Sequence, residues 1–176
     1  MAPVPWQVDV ARSHVRFTVR HMVVSKTRGH FARWRAQLLL DDEAPERSRV
    51  EVEVELASVD TGDAARDENL RSELFDVARH PLMTFHSTHV VPGGRDRFVL
   101  VGELGLHGVS RELRLDCREE RRDADAQGRP RRHYAARATV DRKDFGLRWN
   151  PALEAGGVLV GDAVEVEVEL QGVLPG

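Results

Sequence analysis

The sequence of 176 residues holds one cysteine, Cys117. A lone thiol excludes an intrachain disulfide and any zinc site built on several cysteines. Charge of one sign is also missing: 26 Lys plus Arg stand against 29 Asp plus Glu, a formal net charge of −3. That balance removes the electrostatic case for a nucleic-acid or anionic-membrane binder. Lysine is nearly absent, with Lys26 and Lys143 the whole complement; the bias reads as genome composition rather than function. The opening Met-Ala-Pro-Val-Pro-Trp has no basic stretch followed by an apolar one, so it does not read as a signal peptide. No apolar run approaches the roughly 20 residues of a membrane-spanning helix. The expectation is one soluble, cytoplasmic domain with no integral membrane segment and no nucleic-acid partner.

Catalytic motifs are missing as well. Gly108-Val109-Ser110-Arg111-Glu112 lacks the second glycine of a nucleophile elbow. Gly156-Gly157 is too short for a phosphate loop and precedes a strand. His86 and His89 are three apart on a strand, so they point to opposite faces and cannot share one ion. Neither a metal nor a cofactor is expected. Cys117 falls on the apolar parity of its strand and reads as a buried structural thiol.

What is present is period-two alternation. Val15, Phe17, Val19 and His21 share one parity, with His14, Arg16, Thr18 and Arg20 on the other. Ala32, Trp34, Ala36, Leu38 and Leu40 make a second inner row, and Val50, Val52, Val54 and Leu56 a third, interleaved with Glu51, Glu53 and Glu55. Further rows run Met83, Phe85, Ser87; Phe98, Leu100, Gly102, Leu104, Leu106; Leu113, Leu115, Cys117; Tyr134, Ala136, Ala138, Val140; and Val164, Val166, Val168, Leu170. One apolar and one charged face per strand is the mark of antiparallel sheet with one wet side. About eight such strands fit a barrel or a sandwich. The segment Asp63 to Val77 breaks the alternation and spaces Ala64, Leu70, Leu74 and Phe75 as a short helix, capped by Thr61 or Asp63 and stopped by His80-Pro81. The charged run Arg118 to Arg132, with Gly128 and Pro130, reads as a mobile hairpin loop.

Small residues on inward parities, namely Ala32, Ala36, Gly102, Ala136 and Ala138, remove filling volume and point to an elongated apolar cavity. A dry apolar tunnel suits a lipid tail. By parity the expected tail contacts are Val15, Phe17, Trp34, Phe85, Phe98, Leu100, Val164 and Val166. His21 and Ser87 are polar groups on apolar parities; each reads either as a satisfied core-edge residue or as a polar group that orients a ligand. Arg142, flanked by Asp141 and Asp144, reads either as a turn held by salt bridges or as a head-group contact, and Arg66-Asp67 carries the same two readings.

Taken in order, several pieces resemble the YceI-like family, polyisoprenoid-binding bacterial proteins with a lipocalin-like barrel. They are His21-Met22 followed by Ser25-Lys26-Thr27-Arg28-Gly29, then Val59-Asp60-Thr61-Gly62 with Arg66-Asp67 and Leu70-Arg71-Ser72. His80-Pro81 with Phe85, Gly102 to Val109, Arg142 to Asn150 and Gly156 to Asp162 complete the pattern. Gly105, Asn69, Leu74 and Arg12 depart from it, standing where relatives carry threonine, histidine, phenylalanine and histidine. The resemblance implies an all-β, eight-stranded antiparallel lipocalin-like barrel with one short helix, and a long-chain amphiphile in an apolar channel. It further implies a carrier or storage role, allows a homodimer, and brings no catalytic residues. Two other readings stay open from the residues themselves: an enzyme on a lipid-like substrate with His21 as general base, and a filled-barrel stress-related module.

Overall fold

Branched and aromatic side chains alternate with charged ones through most of the chain, and the backbone follows them into eleven antiparallel strands. The structure is a computed structural model that describes residues 2–21, 25–148 and 160–176, without the side chains of His21, Ser25 and Val160. The strands are β1 (Val4–Val8), β2 (His14–His21), β3 (Ser25–Phe31), β4 (Trp34–Leu40), β5 (Arg49–Glu55) and β6 (Val59–Asp60). They continue as β7 (Leu82–Pro92), β8 (Arg97–Leu106), β9 (Val109–Ala124), β10 (Pro130–Asp141) and β11 (Val160–Val173).

Six of these are halves of three kinked strands. β1 runs into β2 through a 3-10 turn at Val10–Arg12, β3 into β4 through a bend at 32–33, and β5 into β6 through a second 3-10 turn at Leu56–Ser58. Each kink removes rungs from the ladder, and at two of them a buried serine takes up freed backbone groups. The Ser13 hydroxyl donates to the Asp9 carbonyl at 2.7 Å and accepts the Gln171 N–H at 2.9 Å. The Ser58 hydroxyl donates to the Glu55 carbonyl at 2.6 Å and accepts the Arg33 N–H at 3.0 Å.

Counted this way the chain is an eight-stranded up-and-down meander. It closes because β11 pairs with β10 on one side and with both β1 and β2 on the other. The expected eight-stranded antiparallel lipocalin-like barrel with one short helix is therefore what is observed. Above Glu55 and Leu82, where β5 and β7 last pair, β6 turns away to pair with β3. The gap is spanned by a helical strap: α1 (Ala64–Asn69) and a wider π turn at Leu70–Leu74.

Asp63 caps α1 by accepting the Arg66 N–H at 3.0 Å. Buried Asp67 accepts the Thr61 N–H at 3.0 Å and the Thr61 hydroxyl at 2.5 Å, and Arg66 donates to that same hydroxyl at 2.8 Å and to the Thr61 carbonyl at 2.9 Å. Arg66 and Asp67 thus meet on Thr61 and pin the start of the strap. The helix is shorter than the span 63–77 expected of it, because the last turn widens so that Leu70, Leu74 and Phe75 reach the barrel core.

Three local expectations need correction. The run Arg118 to Arg132 is not a mobile loop: β9 and β10 extend through it, leaving only a turn at 125–129. Opposite charges face each other across these strands, with Arg131 on Asp123 at 2.8 Å, His133 on Asp123 at 3.1 Å and Arg132 on Glu119 at 3.0 Å. Leu56 is not the last residue of its strand but the fully buried start of a kink. Ala32 lies exposed in the β3–β4 bend rather than on the inner face.

Candidate functional site

The strap end of the barrel encloses a chamber of about 440 Å³. Val15, Phe17 and Val19 of β2, Leu104 and Leu106 of β8, and Val164 and Val166 of β11 supply its walls, and Leu70, Leu74 and Phe75 its roof. The Phe17 ring lies flat over Gly29 of the neighbouring strand: a Cβ on that glycine would sit 2.4 Å from the ring's Cζ. Phe31 stands beside it, ring centroids 5.4 Å apart. Polar groups reach only the edge, chiefly Thr61, Asn69, Arg66 and Arg142. Arg142 is buried, donates from Nε to the Gly161 carbonyl and from Nη1 to the Leu147 carbonyl, both at 3.2 Å, and lies 3.7 Å from Asp162. It ties the end of β10 to β11 while bordering the chamber.

The opposite end holds a second chamber of about 340 Å³, walled by Leu38, Val50, Val90, Phe98, Leu100, Ala136, Val168 and Leu170. Its polar end is built on Arg132. The buried guanidinium donates to both Glu119 oxygens at 3.1 and 3.0 Å and to Asp42 at 2.6 Å, and lies 5.6 Å from the ring centres of Trp6 and Tyr134. Arg122 also pairs with Glu119. Burial alone would raise the Glu119 carboxyl, but the bonds from Arg132 and Arg122 more than offset that and hold it below the usual range. Burial pushes the Tyr134 phenol up, and it pushes the Cys117 thiol, also on this wall, up to about 12.

Among the described residues none borders both chambers. Between them lies a waist of Trp34, Ala36, Val52, Phe85, Leu115 and Ala138, inward residues that border neither. The Phe85 ring occupies the room left by Gly102, where a Cβ would come within 2.6 Å of its Cζ and 2.4 Å of the His86 carbonyl oxygen. The expected elongated cavity is therefore two chambers. Gly102 makes room for the Phe85 ring rather than for a ligand, Ala36 and Ala138 border neither chamber, and of these small inward residues Ala136 borders open space.

The expected contact residues distribute accordingly. Val15, Phe17, Arg142, Val164 and Val166 meet at the upper chamber, and Phe98 and Leu100 at the lower one. Trp34 and Phe85 form the waist. Ser87 borders neither chamber: it sits where β7 shifts register, and its hydroxyl accepts the Val50 N–H at 2.9 Å. The His21 backbone pairs with Ser25 and Val160, and its side chain lies outside the described residues. Sequence reading missed Arg132, Glu119, Asp42 and Tyr134. The available signal was that Arg132 continues the inward parity of Tyr134 and Ala136 into the charged run. Asn69 and Leu74, which depart from the family pattern, both border the upper chamber.

Among the described residues no helix is long and apolar enough to cross a membrane, and no group of three His, Cys, Asp or Glu is placed to hold a metal.

The fold and sequence both have known counterparts. The chain is 34% identical over 135 residues to a UPF0312 protein of Azotobacter vinelandii, covering 76% of this chain and 70% of that one. A UPF0312 protein of Yersinia pestis is 31% identical over 145 residues, 81% of this chain and 75% of the relative. Among solved structures, BcnA of Burkholderia cenocepacia superposes with a TM-score of 0.82 at 20% identity, over 94% of this chain and 99% of that one. The YCEI protein of Campylobacter jejuni gives 0.77 at 21% identity, over 89% and 90%. A polyisoprenoid binding domain from Saccharophagus degradans gives 0.69 at 16% identity, over 97% and 98%. The profile of the YceI-like domain matches residues 6–172, nearly the whole barrel. On that match and on this sequence identity, the chain belongs to the YceI-like domain family.

Proposed function

We propose that the barrel binds a long-chain amphiphile, a polyisoprenoid or similar lipid, with its apolar tail in the upper chamber, and serves as a carrier or storage protein rather than an enzyme. The observation that carries this reading is the upper chamber: about 440 Å³ walled by hydrocarbon side chains and roofed by a helical strap. That volume lies within the ordinary range of ligand sites. The driving force is desolvation. Each buried methylene contributes roughly 0.8 kcal/mol, so about ten of them supply roughly 8 kcal/mol against the cost of ordering the ligand. Membership of the YceI-like family, and a similar fold in a domain described as polyisoprenoid binding, support the choice of ligand class. Val15, Phe17, Val164 and Val166 are the proposed tail contacts, and Arg142 stands where a head group would emerge.

The test is native mass spectrometry of freshly purified protein, followed by organic extraction and lipid analysis. A co-purifying polyprenyl or acyl compound near one per chain is the expected result. Protein that arrives empty, and then fails to take up added polyprenyl lipids, overturns the reading.

A further inference from the structure

We propose that the lower chamber is a second, independent ligand site, selective for an uncharged amphiphile whose head is a hydroxyl or carbonyl group. This goes beyond the upper-chamber reading and does not depend on it.

Separation is the first ground. Among the described residues the chambers share no wall residue, and Trp34 and Phe85, whose ring sits over Gly102, are inward residues that border neither. A ligand in one has no direct contact with a ligand in the other.

The second ground is the charge pattern of the polar end. Arg132 is paired with Glu119 through Nε and Nη2 and with Asp42 through Nη1. Arg122 is on Glu119 as well. The carboxylate of Asp41, also on this wall, takes the Glu43 and Ala44 N–H groups at 3.0 and 2.9 Å on Oδ1, while its buried Oδ2, 4.0 Å from Arg47, accepts no hydrogen bond among the described residues. The polar end sets the carboxylates of Glu119, Asp42 and Asp41 against Arg132, Arg122 and Arg47, so it offers no net charge to an ionic head group. A charged head group would be desolvated there without a net counter-charge, which disfavours both signs, whereas a hydroxyl can donate to the unbonded Asp41 Oδ2.

The third ground is Tyr134. Its ring is fixed edge-on to Phe98, centroids 6.1 Å apart, and beside the Arg132 guanidinium. Its hydroxyl makes no hydrogen bond among the described residues. Burial keeps the phenol protonated. A neutral phenol can donate one bond and accept others, which is the complement of an alcohol or a carbonyl. The apolar wall of Leu100, Ala136 and Val168 then takes a short hydrocarbon body.

The test uses 1-decanol, decanoate and decylammonium as probes, with native mass spectrometry for stoichiometry and titration calorimetry for affinity. Ala136→Phe fills the lower chamber and is expected to lose one decanol per chain. Val166→Phe fills the upper chamber and is expected to keep the decanol that Ala136→Phe loses. Tyr134→Phe, which removes one oxygen and no volume, is expected to weaken that decanol about fivefold, the worth of one neutral hydrogen bond. Decanoate and decylammonium should bind the lower site at least tenfold more weakly than decanol. Decanol stoichiometry unchanged in folded Ala136→Phe overturns the proposal. So does unchanged affinity in Tyr134→Phe, a variant conservative enough to decide the matter if Ala136→Phe does not fold. Loss of all decanol in Val166→Phe means one connected site and also overturns it. Wild-type stoichiometry in Val166→Phe counts against the upper chamber alone and leaves this proposal standing.

Discussion

Adding a single methyl group at Gly29 probes both the packing and the proposed function. Gly29 lies in β3 opposite Phe17 of β2. Its φ is not positive, so the backbone accepts alanine without strain. The obstacle is the ring: a Cβ would lie 2.4, 2.8 and 3.0 Å from Phe17 Cζ, Cε1 and Cε2. These distances are far inside contact, so the ring must leave, and it borders the upper chamber. Overpacking of this kind costs about 1–3 kcal/mol, offset by the roughly 0.5–1 kcal/mol that alanine gains over glycine inside a strand. The net loss for Gly29→Ala is at most about 2.5 kcal/mol, or up to about 10 °C in Tm for a domain this size. In a Phe17→Leu background the ring is gone, and the same change becomes neutral or stabilising by up to about 1 kcal/mol. Urea unfolding of the four proteins in the cycle measures this coupling. Binding of the neutral dye N-phenyl-1-naphthylamine reports the chamber, and it should weaken in Gly29→Ala as the ring takes up its volume. Equal cost of Gly29→Ala in both backgrounds would refute the packing argument.

Three further outcomes are expected. Asp67→Ala strips the acceptor from the Thr61 N–H and hydroxyl, costing about 1–3 kcal/mol; amide exchange should quicken across residues 61–75 and not in β8 or β9, and a uniform change would contradict the anchoring role. Glu119 and Asp123 are both held below their ordinary values, Asp123 at about 2 by the bonds from Arg131 and then His133, so the stability they contribute is present above about pH 4.5 and is lost as pH falls toward 2. Asp123→Asn should flatten part of that acid limb in a pH series of urea midpoints, and an identical limb would remove Asp123 from the account. Cys117, buried and with its thiol raised to about 12, should resist iodoacetamide at pH 8 until urea unfolds the barrel; rapid labelling of native protein would show the wall to be open.

The strand rows were legible because each strand has one dry and one wet face, and period two survives any detail of the turns. The kinks were not. Ser13 and Ser58 end rungs by bonding backbone groups brought near by the fold, Gln171 to one and Arg33 to the other, and no local pattern announces such partners. The extension of β9 and β10 was hidden for a similar reason. Arg131, Arg132 and His133 look like loop residues until Asp123 and Glu119 stand opposite them. Parity placed Val15, Phe17, Val164 and Val166 on the inside, where they border a chamber. It could not separate a wall from a partition: Trp34 and Phe85 have the same inward parity yet border neither chamber, and the Phe85 ring is seated by its fit over Gly102. Arg132 was overlooked because a buried arginine is improbable until two carboxylates are seen to hold it.

The parting of β6 from β7 has a kinetic consequence. At the lower end β7 has no partner on its β5 side beyond His86, and the 3-10 turn Pro45–Arg47 packs against β7 there. At the strap end the seam between β6 and β7 holds no strand pairing, and the strap crosses it anchored through Thr61, Asp63 and Asp67. Swinging the strap aside costs those anchors and the burial of Leu70, Leu74 and Phe75, and leaves the ring of eight strands closed. Exchange at the upper chamber therefore follows a local opening well below the global unfolding energy. Exchange at the lower chamber would pass the Pro45–Arg47 turn instead, which none of the strap's anchors holds. The two ends of one barrel would then release their contents on separate clocks, with only the upper one quickened by Asp67→Ala.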